Sequence, residues 1–451
     1  MSWSWAVAAG VVLGVVYTLS PLAVLCTAAV VLVTRWAAKG LTGRERAWFL
    51  TLFIIAILSR YLVVAVLFLI GDESKPYAVF FGDEWIFKSR PIWLRNVGLG
   101  VPISAADFIY AYDPTGMSGH IYALALLQAI VGDAPYGVHI FNIALYVAAV
   151  AILYRLVRPA FGALVAFGGS AVLLALPSLF AWSVSALKEP IYVLTAVIEL
   201  LLVLTVARAP RLAWRVVAAA ALAPVALAME ELRNGTLVIA AFGAVAGWAG
   251  AWTVKRPVRI AMAAATVPVV LVLLLAQAPV YARLMDFSRE LMRYHAGHVM
   301  TPGVSYRIID PMYYGSRSAE VRNAGWREVL RYMLRAPIAY VVEPSPRNIQ
   351  SRQLWLYLPE HFLWLVLIGL VPFGLLPAFQ RDRLLAAVLL AHAVAIVMMV
   401  ALTSGNIGTL IRHRGLSLPY LVWFSMLGAA ALFARAAATR PAEGSVTDGH
   451  R

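Results

Sequence analysis

The chain alternates long apolar stretches with short polar breaks over most of its 451 residues. A helix that crosses a bilayer needs roughly 20 consecutive apolar residues. Runs at or near that length occupy 5–34, 47–70, 136–157, 161–181, 190–207, 213–230, 236–253, 259–281, 360–379, 384–403 and 416–436. The pattern predicts an all-α polytopic membrane protein with about eleven transmembrane helices. The first run is long and holds Pro21, which predicts a kink or a tilt. Segment 119–131 is apolar but too short to span, and predicts an interfacial or re-entrant helix.

The polar breaks divide the chain into successive regions. Residues 1–70 hold the first two spans, and 71–135 form a long loop. Residues 136–281 form a core of six spans, and 282–359 form a second long segment. Three further spans occupy 360–436, and 437–451 make a polar tail that predicts disorder. Composition agrees with this division. The chain is 62% hydrophobic and 13% charged, against roughly 25% charged in soluble domains. Mean hydropathy is +0.81.

Net charge is +15, which in a soluble protein would suggest nucleic acid. Here sixteen Arg and Lys residues, from Arg35 to Arg440, sit in one alternating set of short loops. The positive-inside rule makes that face cytoplasmic. The excess charge is then topological, and no nucleic-acid partner is expected. The N-terminus is predicted outside and the C-terminus inside. Segments 71–135 and 282–359, with the turns at 182–189, 231–235 and 404–415, face outward and hold nearly all the acids. Cys26 is the sole cysteine, so no disulfide or thiolate metal site can form within one chain.

Four outer features and one long segment carry candidate chemistry. Asp83 and Glu84 adjoin Phe80, Phe81, Trp85 and Phe87 just after the second span. Carboxylates beside apolar rings at a membrane surface suit base catalysis. They could equally be solvated loop acids. Asp72 and Glu73 read as plain turn acids. Lys188 and Glu189 follow Ser183 and Ser185 in the next outer turn, with Pro190 suited to a helix start. Lys188 could meet an anionic head group, or snorkel beside Glu189. Glu230, Glu231, Arg233 and Asn234 interrupt an apolar stretch, and Arg233 is expected to pair with Glu230 at i, i+3. Asn406 opens the last outer turn, where Arg412, His413 and Arg414 place cations against the inner-face bias. Phosphate or pyrophosphate on a lipid is the natural partner for such cations.

Segment 282–359 contains eleven Arg and six acids. Within it Val321, Val329, Met333 and Leu334 interleave with Arg, predicting an amphipathic helix on the membrane. His295, His298 and His361 are too scattered for a metal site. No metal ligands are assigned and no cofactor is certain, although adjacent carboxylates could bind a divalent ion. No phosphate-binding glycine loop for a nucleotide is present.

Taken together, these pieces resemble bacterial GT-C type polytopic glycosyltransferases. That group is related to the protein mannosyltransferase and aminoarabinose transferase families, and many members belong to surface-polysaccharide gene sets. The resemblance rests on the acidic pair after an early span, the short apolar helix, the L-K-E-P turn at 187–190, the Glu/Arg turn and the GNIGTLIRHR segment. It covers roughly residues 75–420. It implies sugar transfer at the outer face of a bacterial inner membrane. The donor would be a sugar on polyprenyl phosphate or diphosphate, and the acceptor a glycan or lipid.

By this resemblance Asp83 is the base, with Glu84 the runner-up. Lys188, Arg233, Arg412 and Arg414 hold the lipid phosphate, with Glu189, Glu230, Asn234, Asn406 and His413 around the substrate. One departure is an extra helix before the catalytic loop. Two rival readings use the same features. A polysaccharide polymerase or ligase would rely on His295, His298 or His413 and the loop arginines. A flippase for lipid-linked sugar would use Glu199 and His392, isolated within apolar runs.

Overall fold

The computed structural model describes residues 20–70, 84–112, 119–132, 137–345, 349 and 352–438, with scattered positions between 3 and 14. Among these the secondary structure is helical, apart from one isolated bridge between Ser305 and Asn406. Among the described residues nine helices are long and apolar enough to cross a membrane: Gly43–Ile70, Gly137–Phe161, Glu189–Arg208, Leu212–Leu232, Thr236–Thr253, Pro257–Leu275, Leu354–Arg381, Arg383–Thr403 and Leu418–Ala438. The protein is therefore an all-α polytopic membrane protein.

Two expected spans differ from the pattern. The run 161–181 is divided into Ala163–Ala175 and Pro177–Ser183, bent by 66°. The cause is local. Pro177 disfavours helical geometry at the residue before it, and Leu176 is extended (φ −60°, ψ 125°). If the bent pair is one span, the count is ten. The run 5–34 is interrupted at Ser20, also extended, whose hydroxyl accepts from the Ala23 N–H and caps a 17-residue helix, Pro21–Ala37. Pro21 starts that helix rather than kinking a longer one.

The chain forms two compact units. The first comprises 1–157, 170–246 and 411–419; the second comprises 158–169, 247–410 and 420–451. In the first, the Glu189–Arg208 and Leu212–Leu232 helices pack along each other. The Glu84–Gly98 helix packs on Gly119–Val131 through Leu94, Ile121 and Ala125, with Phe87 and Trp93 against them. A Cβ on Gly119 would come within 3.1 Å of the Glu231 carbonyl oxygen, so the contact needs glycine.

In the second unit, glycines set helix spacing. A Cβ built at Gly374 would overlap the Phe424 carbonyl oxygen, and one at Gly428 would overlap that of Leu370. The Leu354–Arg381 and Leu418–Ala438 spans thus meet backbone to backbone. Small residues permit such approach where lipid offers no hydrophobic drive between helices.

The end of the Arg383–Thr403 span is held by side chains. A helix leaves its last carbonyls without intrahelical donors. Here the Tyr332 hydroxyl donates to the Leu402 carbonyl, His298 Nδ1 to Thr403 at 2.6 Å and His295 Nδ1 to Ser404 at 2.5 Å. His295 is fully buried. With Nδ1 donating, its Nε2 accepts from the Tyr314 hydroxyl at 3.2 Å, while that hydroxyl accepts the Ile308 and Ile309 N–H groups. Burial pulls the His295 ring from 6.5 down to about 4, against the Ser404 hydrogen bond.

The amphipathic segment is a 3-10 stretch, Gly315–Asn323, followed by the α-helix Trp326–Val342. Val321 and Val329 are buried, while Leu334 is exposed.

Two outcomes follow. Gly374→Val should overpack the glycine contact and cost about 1–3 kcal/mol or more, read as a lower melting temperature in detergent. An unchanged melting temperature would refute the backbone contact. Second, between pH 6.5 and 4 an unfolded His295 binds a proton that the folded one refuses. Its contribution to stability is complete above pH 6.5 and is lost as pH falls toward 4. Thermal scans in detergent should show stability decreasing from pH 7 to 5, with a shallower decline for His295→Gln. Equal slopes for the two proteins would refute the assignment.

Candidate functional site

The chain between the Pro177–Ser183 and Glu189–Arg208 helices is a non-helical turn whose residues 183–187 are buried. Buried backbone polar groups without partners are costly, so the turn needs partners from elsewhere. Side chains supply them. His139 Nδ1 donates to the Val184 carbonyl at 2.7 Å. The Asn142 amide donates to the Ser185 and Leu187 carbonyls, both at 2.7 Å. His120 Nε2 reaches the Ala186 carbonyl at 3.4 Å. Burial pulls the His120 ring down to about 4, so it is neutral at ordinary pH. The Ala186 N–H donates to Glu84 Oε1 at 2.9 Å.

Arg60 completes the support from within the Gly43–Ile70 span. It is fully buried. Its Nε donates to the Ser183 hydroxyl at 2.6 Å, and its two terminal nitrogens donate to the carbonyls of Ala56 at 3.0 Å and Leu174 at 2.8 Å. The guanidinium also lies over the Phe180 ring at 4.5 Å. Leu174 lies at the bend before Pro177, where helical hydrogen bonding is interrupted. Arg60 therefore holds both sides of the broken span. Its signal in the sequence is a charge deep inside an apolar run.

The fixed turn presents Lys188 and Glu189. Glu189 is 3% exposed, and its Oε1 accepts from Arg412 Nε at 2.7 Å. Its Oε2 has no hydrogen-bond partner among the described residues. Arg233 contacts His413 Nε2 at 2.5 Å. Arginine is always the donor, so the His413 nitrogen is an acceptor. Enclosure lowers the Arg233 guanidinium from its ordinary value, and the Glu189 carboxylate opposes that. Lys188, Glu189, Tyr192, Leu232, Arg233 and Leu416 line a cleft with about 170 Å³ of empty space. It is too narrow as it stands to admit a water-sized sphere. A ligand would have to displace the Lys188 or Arg233 side chain.

Lys188, Glu189, Arg233, Arg412 and His413, separated widely in sequence, thus come together. Other expected residues stand elsewhere or have other tasks. Asp83, with Asp72, Glu73, Phe80 and Phe81, lies outside the described residues. Glu84 is fully buried and holds the turn through Ala186.

The expected Glu230–Arg233 pair is not formed. The helix ends at Leu232 and Arg233 is extended (φ −159°, ψ 118°), so i, i+3 geometry does not apply. Glu230 instead accepts the N–H groups of Gly235 and Leu237, both at 2.8 Å, at the start of the next helix. Asn234 is exposed. Arg414 is buried at 2% exposure. Asn406 belongs to the second unit, where its Oδ1 accepts the Gly408 N–H at 2.8 Å and its amide donates to the Pro302 carbonyl at 3.1 Å. That is a helix cap and a loop tie. Among the described residues no three His, Cys, Asp or Glu side chains come together as a metal set.

Comparison with protein-family models, with curated proteins and with solved structures finds no match. The functional reading therefore rests on the site itself.

Arg60→Leu should leave the Leu174 carbonyl without its donor, at a cost of about 1–3 kcal/mol. The expected result is a lower melting temperature, with new protease or hydrogen-exchange sensitivity in 174–189. Wild-type protection of that segment would show that Arg60 does not hold the turn.

Proposed function

We propose that the protein is a membrane glycosyltransferase using a polyprenyl-phosphate-linked sugar, active at the outer face of a bacterial inner membrane. The observation that carries this reading is the cleft cluster. Lys188 and Arg233 line one cleft with Glu189, and Arg412 pairs with the Glu189 carboxylate. Lys188 and Arg233 cap the ends of two apolar helices, and Arg412 is in the last turn of the short Ile407–Arg414 helix. Ionisable residues at such positions are costly unless paired or used. Cations gathered there suit an anionic group on a lipid. The resemblance to GT-C enzymes, through the L-K-E-P turn and GNIGTLIRHR, supplies the reaction class.

In the proposed reaction a carboxylate takes the proton from an acceptor hydroxyl. The hydroxyl oxygen attacks the anomeric carbon, and the bond from that carbon to the lipid phosphate oxygen breaks. The leaving phosphate gains negative charge, which Lys188, Arg233 and Arg412 offset. Asp83 is assigned the base role, because Glu84 is occupied with the Ala186 N–H. Glu189 Oε2 is available to accept a hydrogen bond from a sugar hydroxyl. The outward orientation rests on the sixteen basic residues of the opposite loops.

The test uses purified protein in nanodiscs, a panel of polyprenyl-phosphate sugars and bacterial envelope extract as acceptor, with release of polyprenyl phosphate as readout. Asp83→Asn should reduce turnover by about 10²–10⁴-fold. Arg412→Gln should also slow turnover, and Asp107→Asn should leave it unchanged. Full activity in Asp83→Asn would remove the assigned base. Flipping of a labelled donor without any transfer would replace the enzyme by a transporter.

A further inference from the structure

The Trp326–Val342 helix has two different apolar faces. Val329, Tyr332, Ala336, Ala339 and Tyr340 are buried against the protein. Away from them, Trp326, Leu330, Leu334, Ile338 and Val342 are 47–63% exposed. They recur every four residues, so each is turned about 40° from the last and together they form one broad strip. Arg327, Arg331 and Arg335 each follow a strip residue by one position and are exposed. At about 100° per residue they stand along a single edge of the strip.

Their contacts leave them on that edge. Arg331 donates to Glu328 at 2.9 Å, Arg335 to the Ile308 carbonyl at 3.3 Å, and Arg327 lies over the Trp326 ring at 5.5 Å. Each hydrogen bond uses one N–H of a guanidinium that has five.

The depth of the helix is set by its neighbours in the same unit. Tyr332 donates to the Leu402 carbonyl, in the last turn of the Arg383–Thr403 span. Farther along, the Val341 carbonyl accepts from Trp364 Nε1 at 3.1 Å, and Trp364 belongs to the Leu354–Arg381 span. The helix is therefore tied to two spans, at the level where one of them ends. That is the level of lipid head groups.

We infer that the Trp326–Val342 helix is a lipid-binding surface that lies in the head-group layer and selects anionic phospholipids. The strip lies among the outer acyl carbons, and Arg327, Arg331 and Arg335 meet lipid phosphates. Facing water, the strip would expose five large apolar side chains in a row. A second copy of the chain fits less well, since a two-fold contact along this strip brings its arginine edges near one another. Lipid phosphate complements that edge, and a buried strip with charged flank is the arrangement of interfacial helices.

The test places a nitroxide on Leu334→Cys in a Cys26→Ser background, which removes the sole cysteine. The protein is reconstituted in phosphatidylcholine vesicles with and without phosphatidylglycerol. Accessibility to oxygen and to a water-soluble nickel chelate reports depth. With phosphatidylglycerol the label should be several-fold less accessible to the chelate, and oxygen should reach it. Adding Arg327→Gln, Arg331→Gln and Arg335→Gln should abolish the difference between the two lipids. If that variant does not fold, high salt on the unaltered arginines should abolish the same difference. Equal, high chelate access in both vesicles would overturn the inference. So would dipolar broadening between labels, which would assign the strip to a second copy.

Discussion

A stretch of backbone that is neither helix nor sheet cannot be buried in apolar surroundings unless other groups complete its hydrogen bonds. In this protein the stretch is 184–187, and the first unit is organised around its needs. Glu84, His120, His139 and Asn142 come from three helices to meet it, and Arg60 braces the Ser183 hydroxyl just before it. Each is polar in an otherwise apolar or interfacial segment, and the first four complete hydrogen bonds of the turn's backbone. The reward is positional. A turn fixed on several sides places Lys188 and Glu189 at a defined point, where Arg412 and the Arg233–His413 pair complete the cluster. A free loop would present the same residues without holding their geometry.

The second unit solves a related problem at a span's end. The terminal carbonyls of Arg383–Thr403 are taken by Tyr332, His295 and His298, and the Ser404 carbonyl also accepts from Tyr306 at 2.7 Å. These histidines thus serve as donors to backbone. That use weakens the view of them as polymerase-type catalytic groups. His392 is similarly engaged, with Nδ1 near the Val388 carbonyl and its ring stacked flat on Tyr420, which gives the transport reading little support.

Much of the architecture was legible because hydrophobic run length is a direct physical requirement of the bilayer. Runs such as 384–403 and 236–253 reappear nearly unchanged. Errors arose where local chemistry overrode the run. Pro177 sat in plain sight within 161–181, yet its effect on Leu176 breaks the helix there. Helical spacing pairs Arg233 with Glu230, but the helix stops at Leu232, one residue short of Arg233. The cluster was foreseeable as separate charges in turns between spans. Their meeting was not, because 223 residues separate Glu189 from Arg412. The turn's supporters were visible too, as Arg60, His139 and Asn142 within apolar runs. Nothing in the linear pattern says that all three address one turn.

The positions of those supporters also bear on how the site is made. Arg60, Glu84, His120, His139 and Asn142 all precede the turn in the chain. During synthesis, which proceeds from the N-terminus, the residues that will receive 183–187 have already emerged when that segment appears. The turn can therefore be captured by a prepared scaffold, without waiting exposed in the bilayer. Arg412 and His413 emerge more than two hundred residues later. Until then Glu189 is a buried acid without its arginine. The cleft acquires its charge pattern only once Arg412 has been made, so a chain stopped before that residue holds the platform but lacks the site.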